Sequence, residues 1–133
     1  MKPEKQQQTD GTSQMTPEIL AAFAAAWSRG DVDKLMSFIT DDCVYSASVG
    51  PEPGTTYTGR EAVRQGFENM LKYDAGRQSR GGPVFIVGNK GAAEWSYHFT
   101  DETGRQVEIK GCDLFEFAGN KIRRKDAYRK TVA

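Results

Sequence analysis

The second half of the chain alternates strand-like segments with short turns. From residue 82 onward, β-branched and aromatic residues recur in runs that are bounded by glycine, asparagine and aspartate. The predicted strands are residues 82–88, 92–100, 106–117 and 121–130. Connections this short join antiparallel neighbours, because a parallel pair needs a crossover of a dozen residues or more. The sequence therefore predicts an antiparallel meander.

The first half of the chain has helical patterns instead. Thr16, Pro17 and Glu18 supply a cap, a proline suited to the first helical position and an acid in the first turn, and Gly30 supplies a stop. Asp31 caps a second predicted helix, and a third runs from about residue 58 to the residues before Gly76. Their expected inward-facing residues are Ile19, Phe23 and Trp27; Val32, Leu35, Met36 and Ile39; and Val63, Phe67, Met70 and Leu71.

Helices followed by strands predict an α+β fold, in which the helices cover one face of the sheet. Between the second and third helices we expect a short strand at residues 43–48 and then a loop rich in proline and glycine. The polar residues 1–14 lack large apolar side chains and are predicted to form a disordered tail. Residues 15–133 then form a single domain.

Composition excludes several classes of function. Lysine plus arginine and aspartate plus glutamate both number 18, so no global field favours nucleic acid or an anionic membrane. No apolar run suits a membrane span or a secretory signal, and we expect a cytoplasmic location. The single histidine does not suit a metal site, and Cys43 and Cys112 are predicted to be buried thiols. No phosphate loop, nucleophile elbow or dinucleotide fingerprint occurs, so no cofactor is predicted.

Asp113 is the strongest candidate for a functional residue. It lies in the apolar segment 111–117, where strand alternation places it on the same face as Phe115 and Phe117. Burial among aromatic rings would disfavour its charged form and make it a proton donor or a tunable base. Alternatively, Asp113 is a structural carboxyl that accepts hydrogen bonds from Trp95, Tyr97 or a backbone amide. A bulge at Gly111 would reverse the inward phase of this strand.

His98 is a second candidate, since an imidazole suits proton shuttling near neutral pH. If Trp95, Tyr97 and Phe99 face a cavity, alternation sends His98 to the opposite face. The simplest interpretation of the cluster of basic residues near the C-terminus is a solvated strand edge that discourages aggregation. The cluster comprises Lys121, Arg123, Arg124, Lys125, Arg129 and Lys130. Alternatively, Lys125 and Arg129 reach the cavity and bind an anionic substrate.

Four segments in this order resemble the nuclear transport factor 2-like superfamily, especially its SnoaL-like and ketosteroid-isomerase-like branches. They are residues 23–31 (FAAAWSRGD), residues 41–45 (DDCVY), residues 57–63 (YTGREAV), and residues 112–117 (CDLFEF) with the Asn-Lys-Ile at 120–122. The resemblance implies a cone-shaped, strongly curved antiparallel sheet wrapped around three N-terminal helices, an α+β barrel with a deep apolar cavity. It also implies a homodimer. Members include isomerases, cyclases, dehydratases, epoxide hydrolases and non-enzymes, so the fold alone leaves the function open.

Ketosteroid isomerases use a tyrosine and a protonated aspartic acid as oxyanion donors, together with a carboxylate base. By resemblance Asp113 falls on the oxyanion aspartic acid, whereas Phe23 occupies the tyrosine position and Ala47 the base position. Steroid isomerisation by that mechanism is therefore not expected. Asp126 resembles the acid in the last strand of epoxide-hydrolase relatives, although the register differs by one residue. The simpler interpretation of Asp126 is a salt bridge with Arg124 or Lys130 at the rim.

The sequence thus favours a SnoaL-like, polyketide-cyclase-like enzyme that performs cofactor-independent acid–base chemistry of the isomerase, cyclase or dehydratase type. Its ligand would be a small apolar or aromatic carbonyl compound or a polyketide-like molecule. Asp113 is the predicted catalytic residue, with His98 and Asp126 as weaker candidates. The predicted pocket residues are Phe23, Trp27, Tyr45, Phe67, Trp95, Tyr97 and Phe115. The alternative is a ligand-binding or dimerising module of the same fold that catalyses nothing.

Overall fold

The computed structural model describes residues 13–51 and 54–130. The predicted tail therefore lies, apart from residues 13 and 14, outside the described part of the chain. Helix α1 is Pro17–Arg29, α2 is Val32–Met36 and α3 is Arg60–Tyr73. The Thr16 hydroxyl accepts a hydrogen bond from the amide of Ile19, and Gly30 ends α1 at a φ of 69°, as the sequence predicts.

Six strands of the described residues form one sheet. They are β1 (Ile39–Ser46), β2 (Thr56–Thr58), β3 (Gln78–Val87), β4 (Lys90–Thr100), β5 (Gln106–Ala118) and β6 (Lys121–Arg129). Their order across the sheet is β2-β1-β6-β5-β4-β3, which leaves β2 and β3 as free edges of a curved, unclosed sheet. The predicted meander from β3 to β6 is confirmed, and so is the α+β class.

Three details differ from the sequence-based expectations. Ile39 begins β1 instead of extending α2, because α2 ends at Met36 after little more than one turn. The short strand β2 was not predicted. The sheet is mixed and not wholly antiparallel, since β1 pairs in parallel with β6. That pairing joins strands far apart in sequence, and local patterns carry no information about it.

The helices pack on the concave face of the sheet and bury most of the large apolar side chains between the two layers. Phe23 of α1 contacts the rings of Phe67 and Phe115, and so links α1 to α3 and to β5. Tyr45 and Phe67 are fully buried beside each other. One end of this interior is filled by side chains, and the other end remains a cavity. Within the described residues, no helix is long and apolar enough to cross a membrane.

A bulge in β6 decides which residues face that cavity. Phe117 pairs with Ile122 and Glu116 pairs with Arg124, so Arg123 is an extra residue in the ladder. Strict alternation from the buried Ile122 would turn Arg124 and Asp126 inward. The extra residue inverts the pattern and turns Lys125, Ala127 and Arg129 toward the cavity instead.

Candidate functional site

The cavity lies between α1 and the concave face of β3, β4, β5 and β6, and its volume is about 310 Å³. Most of its wall is apolar or aromatic. Its main aromatic and polar wall residues are Phe23, Trp27, Tyr45, Ser48, Asp74, Arg80, Glu94, Trp95, Tyr97, Asp113, Phe115, Lys125 and Arg129. A cavity of this size and lining suits a small, largely apolar molecule that a few polar groups orient.

Asp113 is buried in this wall as predicted, and it is held by two donors. The indole nitrogen of Trp95 donates to Oδ1 over 3.1 Å, and the Lys125 ammonium donates to the same oxygen over 3.3 Å. Within the described residues, Oδ2 of Asp113 accepts no hydrogen bond. The strand phase that the sequence predicted is also confirmed, because β4 and β5 pair without a break through Gly111.

The sequence leaves Asp113 open as a proton donor or a tunable base, and it does not predict the contact with Lys125. The side chains of Asp113 and Lys125 are only 11% and 5% exposed, so the ion pair is shielded from water. Both donors bind Oδ1, so Oδ2 is the oxygen of Asp113 that remains for a ligand.

Lys125 is held by aromatic rings as well as by Asp113. Its ammonium lies 4.5 Å from the ring centre of Trp27 and 4.8 Å from that of Tyr45. Both distances are within the range of cation–π attraction, which strengthens when water is excluded. The carboxylate and the two rings together offset the cost of burying the charge.

Strand register explains how Asp113 and Lys125 meet. Asp113 pairs directly with Ala127 of β6, and Lys125 precedes Ala127 by two residues on the same face. Diagonal neighbours of this kind are within reach of a long side chain. The bulge at Arg123 is what puts Lys125 on that face.

A second polar cluster closes another part of the cavity. The guanidinium of Arg129 donates to both carboxylate oxygens of Asp74, over 3.0 and 2.8 Å, and its Nε donates to Ser48 over 3.0 Å. Arg77 donates to Asp74 as well. Burial alone would lower the pKa of Arg129, but the hydrogen bonds and charge of Asp74 outweigh it and raise the pKa. We refer to Asp74, Arg129 and Ser48 as the arginine cluster.

The tyrosines in the wall are neutral at ordinary pH. Burial raises the pKa of Tyr97 to about 12, and the charge of Asp74 adds to this effect. Burial also raises the pKa of Tyr45 well above its usual value, with Asp113 as the next cause. The Tyr97 hydroxyl accepts a hydrogen bond from the Trp27 indole over 2.9 Å. Tyr45 and Tyr97 therefore act as neutral polar groups in the cavity and not as bases.

Six of the seven predicted pocket residues line the cavity: Phe23, Trp27, Tyr45, Trp95, Tyr97 and Phe115. Phe67 does not line it. It is fully buried behind the wall, against Trp27 and Tyr45, because its position on α3 faces the helix–helix contact.

His98 and Asp126 both lie away from the cavity. His98 is on the opposite face of β4, where its Nε2 is 2.9 Å from the hydroxyl of Ser96 and 3.6 Å from Glu108. Asp126 is turned outward by the β6 bulge and accepts hydrogen bonds from Arg124 and Tyr128. The rim salt bridge with Arg124, the simpler of the two interpretations of Asp126, is the one observed.

Lys125 and Arg129 line the cavity as only the alternative interpretation of the sequence expected, and Asp74 was not predicted to lie there. The simpler interpretation of the basic cluster near the C-terminus was a solvated strand edge. The side chains of Lys125 and Arg129, two of its members, are instead buried. The spacing of Lys125, Ala127 and Arg129 is a strand signal, but it conflicts with Ile122 unless a bulge intervenes. Asp74 follows α3 and gave no signal beyond its position before Gly76.

The family model of the SnoaL-like domain matches residues 20–125, which is most of the chain. The chain belongs to the SnoaL-like domain family. The match begins within α1 and ends at Lys125 within β6, so it includes every element between them.

Three solved structures show the same fold as this SnoaL-like domain. A protein of unknown function from Mesorhizobium loti has a TM-score of 0.70 and 21% identity, over 89% of this chain and 99% of that one. A putative polyketide cyclase from Xanthomonas campestris has a TM-score of 0.64 and 22% identity, over 84% of this chain and 87% of that one. An epoxide hydrolase/cyclase-like enzyme with a role in pyran ring formation in salinomycin has a TM-score of 0.67 and 22% identity, over 86% of this chain and 89% of that one.

Asp113 and Lys125 form a buried ion pair at the cavity wall of the SnoaL-like domain. Within the described residues, no cluster of histidine, cysteine, aspartate or glutamate has metal-binding geometry. Phe23 lies on the wall and Ala47 is buried just after β1, and neither side chain can exchange a proton.

Proposed function

We propose that this SnoaL-like domain is a small-molecule enzyme that performs cofactor-independent acid–base chemistry on an apolar carbonyl ligand. The observation that carries the proposal is the buried Asp113–Lys125 pair on the wall of an apolar cavity. Cyclisation, isomerisation and dehydration of such ligands all begin with removal of a proton next to a carbonyl group. The family contains enzymes of this type, and a putative polyketide cyclase shares the fold.

Asp113 and Lys125 have different roles in that proton removal. Asp113 has an oxygen that accepts no hydrogen bond from the described residues, and so it can take a proton from the carbon next to the carbonyl. The Lys125 ammonium can donate to the carbonyl oxygen as negative charge develops there. Both groups are shielded from water, and electrostatic interactions are stronger in such an environment than in water.

A specific observation favours the alternative, a binding module without turnover. The donors at the wall are already engaged: Trp95 and Lys125 bind Asp113, and Arg129 binds Asp74 and Ser48. A site whose main donors are already engaged can hold an apolar ligand by shape alone. The two functions differ in whether a bound carbonyl compound exchanges its hydrogens.

The test combines a binding screen with an exchange measurement. Polyketide-like, steroid-like and small aromatic carbonyl compounds are first screened for a rise in melting temperature, since a ligand at about 100 times its Kd stabilises the fold by about 2.7 kcal/mol. Hits are then incubated with the protein in D₂O, and loss of the proton signal next to the carbonyl is followed by NMR. We expect exchange, and we expect Asp113→Asn to slow it by about 10²–10⁴-fold.

Asp126→Asn is the matched control, because Asp126 has the same chemistry but lies on the outer face of the same sheet. It should leave both binding and exchange unchanged. The double variant Asp113→Asn with Lys125→Met removes the ion pair without leaving one charge unpaired, and it should fold and bind but not exchange. A ligand that binds the wild-type protein with no exchange at all would point to the binding module instead.

A homodimer remains a prediction from the resemblance. Leu114 and Tyr128 support it, since they are large, about half exposed, and lie on the sheet face opposite the cavity.

A further inference from the structure

We propose that Lys125 is a nucleophile, and that it holds a carbonyl ligand covalently as a protonated Schiff base. The inference rests on the proposed function only in taking a carbonyl compound as the ligand. It adds a bond that acid–base chemistry does not require.

Lys125 is placed as a reactive amine would be. Within the described residues it is the only lysine that lines the cavity, and its side chain is 5% exposed. Its ammonium is 3.3 Å from a carboxylate oxygen and faces an apolar space large enough for a small ligand. Lysines that form Schiff bases are typically desolvated in apolar pockets, and Asp113 is within reach to accept the proton that the amine must lose before it attacks a carbonyl.

Asp113 supplies the proton transfers that the reaction needs. The Lys125 ammonium gives one proton to Asp113, and the free amine attacks the carbonyl carbon to form a carbinolamine. Asp113 returns the proton to the carbinolamine oxygen, the C–O bond breaks, and water leaves as the nitrogen lone pair forms the C=N bond. The sum is ammonium plus ketone giving protonated imine plus water, with no oxidant or reductant required.

The contacts that hold the ammonium also suit the product. A protonated imine carries the same positive charge at the same nitrogen. The Asp113 carboxylate and the rings of Trp27 and Tyr45, at 4.5 and 4.8 Å from that nitrogen, stabilise it as they stabilise the ammonium. An ammonium held by these contacts thus loses little of its stabilisation when it becomes an imine.

The imine strengthens the chemistry of the proposed function. A protonated imine accepts electrons more readily than a ketone, so removal of the neighbouring proton becomes easier. Asp113 remains beside the nitrogen and within reach of that proton. The same two residues thus serve in both steps.

Reductive trapping tests the proposal on the wild-type protein. The protein is incubated with 4-phenylbutan-2-one and sodium cyanoborohydride at neutral pH, and modified peptides are mapped by mass spectrometry. We expect the phenylbutyl adduct at Lys125, formed at least about tenfold faster than at the exposed Lys110, because a bound ketone reacts as if intramolecular.

Two variants make the result specific. Lys125→Arg keeps a cation beside Asp113 but cannot form an imine, so it should lose the adduct. Lys110→Arg, on the exposed side of β5, should keep it. Adducts spread evenly over exposed lysines, or none at Lys125 while the ketone still raises the melting temperature, would overturn the proposal.

The exchange measurement separates this inference from the proposed function. Exchange that persists in Lys125→Arg, with no adduct at Lys125 in the wild-type protein, would mean that the acid–base function stands without a covalent intermediate, and the inference would be wrong. An adduct at Lys125 with no exchange would support the inference and contradict the proposed catalysis.

Discussion

Gly111 allows Trp95 to reach Asp113. Gly111 and Trp95 pair directly across β5 and β4, and the indole of Trp95 lies over the glycine. A β-carbon at residue 111 would collide with that indole and with the backbone carbonyl of Tyr128. The absence of a side chain at Gly111 therefore creates the space from which Trp95 donates to Asp113.

Gly111→Ala should displace the Trp95 indole and break its hydrogen bond to Asp113. We expect a loss of about 1–3 kcal/mol in the free energy of unfolding, as is usual for overpacking a tight site. Urea unfolding followed by tryptophan fluorescence measures this. Gly81→Ala is the control, because a β-carbon there meets no atom within 4 Å. If both variants have the same free energy of unfolding as the wild-type protein, residue 111 tolerates a β-carbon beside Trp95.

At the scale of elements, the arginine cluster joins the ends of three segments. Asp74 follows α3, Arg129 is the last residue of β6, and Ser48 follows β1. The side chains of Arg129 and Asp74 are only 2% and 3% exposed, so water cannot replace a lost partner. The position of α3 against the sheet depends on this contact as well as on apolar packing.

Asp74→Asn should lower the free energy of unfolding by about 3–5 kcal/mol, because it leaves the Arg129 charge buried with weaker partners. Chemical denaturation with circular dichroism detection is the measurement. Asp33→Asn is the matched control: Asp33 also pairs with an arginine, Arg64, but its side chain is 87% exposed. The control should have little effect. Equal losses in the two variants would show that burial of the Asp74–Arg129 pair is not the cause.

Individual elements were predictable where the local signal was complete. The cap at Thr16 and the stop at Gly30 bound α1 correctly, since both act within a few residues of the chain. Ile39 was assigned to the wrong element because its spacing fits a helix, whereas its partner is Ile122 of a distant strand. Asp126 was a candidate through its resemblance to an acid of epoxide-hydrolase relatives, and only the tertiary pairing reveals the extra residue at Arg123 that turns it outward.

At the scale of the whole molecule, the fold buries several groups that ionise at high pH. Burial raises the pKa of the Cys43 thiol to about 12, with the charge of Asp42 as the next cause. The pKa of Tyr97 also rises to about 12, and that of Tyr45 is raised. These groups keep their protons in the folded state at a pH where the unfolded chain releases them.

These three groups should therefore leave the free energy of unfolding unchanged between about pH 7 and pH 8 and make it fall between about pH 9 and 12. The sign follows from the raised pKa values: the unfolded chain binds fewer protons in that window, so rising pH favours unfolding. Each such group contributes about 1.4 kcal/mol per pH unit between its two pKa values.

Urea unfolding at several alkaline pH values measures the slope, and Tyr97→Phe should reduce it between pH 10 and 12. Tyr73→Phe, at a tyrosine that is 55% exposed, is the control and should leave it unchanged. If Tyr97→Phe leaves the slope as steep as in the wild-type protein, Tyr97 does not contribute to it.

Local sequence patterns were sufficient for the order of the three helices and of every strand except β2, for the turns that make β3 to β6 a meander, and for the inward phase of Asp113. These features follow from caps, glycines and the two-residue period of a strand, which act over short distances. The contacts of Asp113 emerged only from the folded structure. The partner Lys125 depends on a one-residue bulge in β6, and the cavity depends on how the helices and the sheet pack. Register and packing couple residues far apart in the chain, so a local pattern cannot specify them.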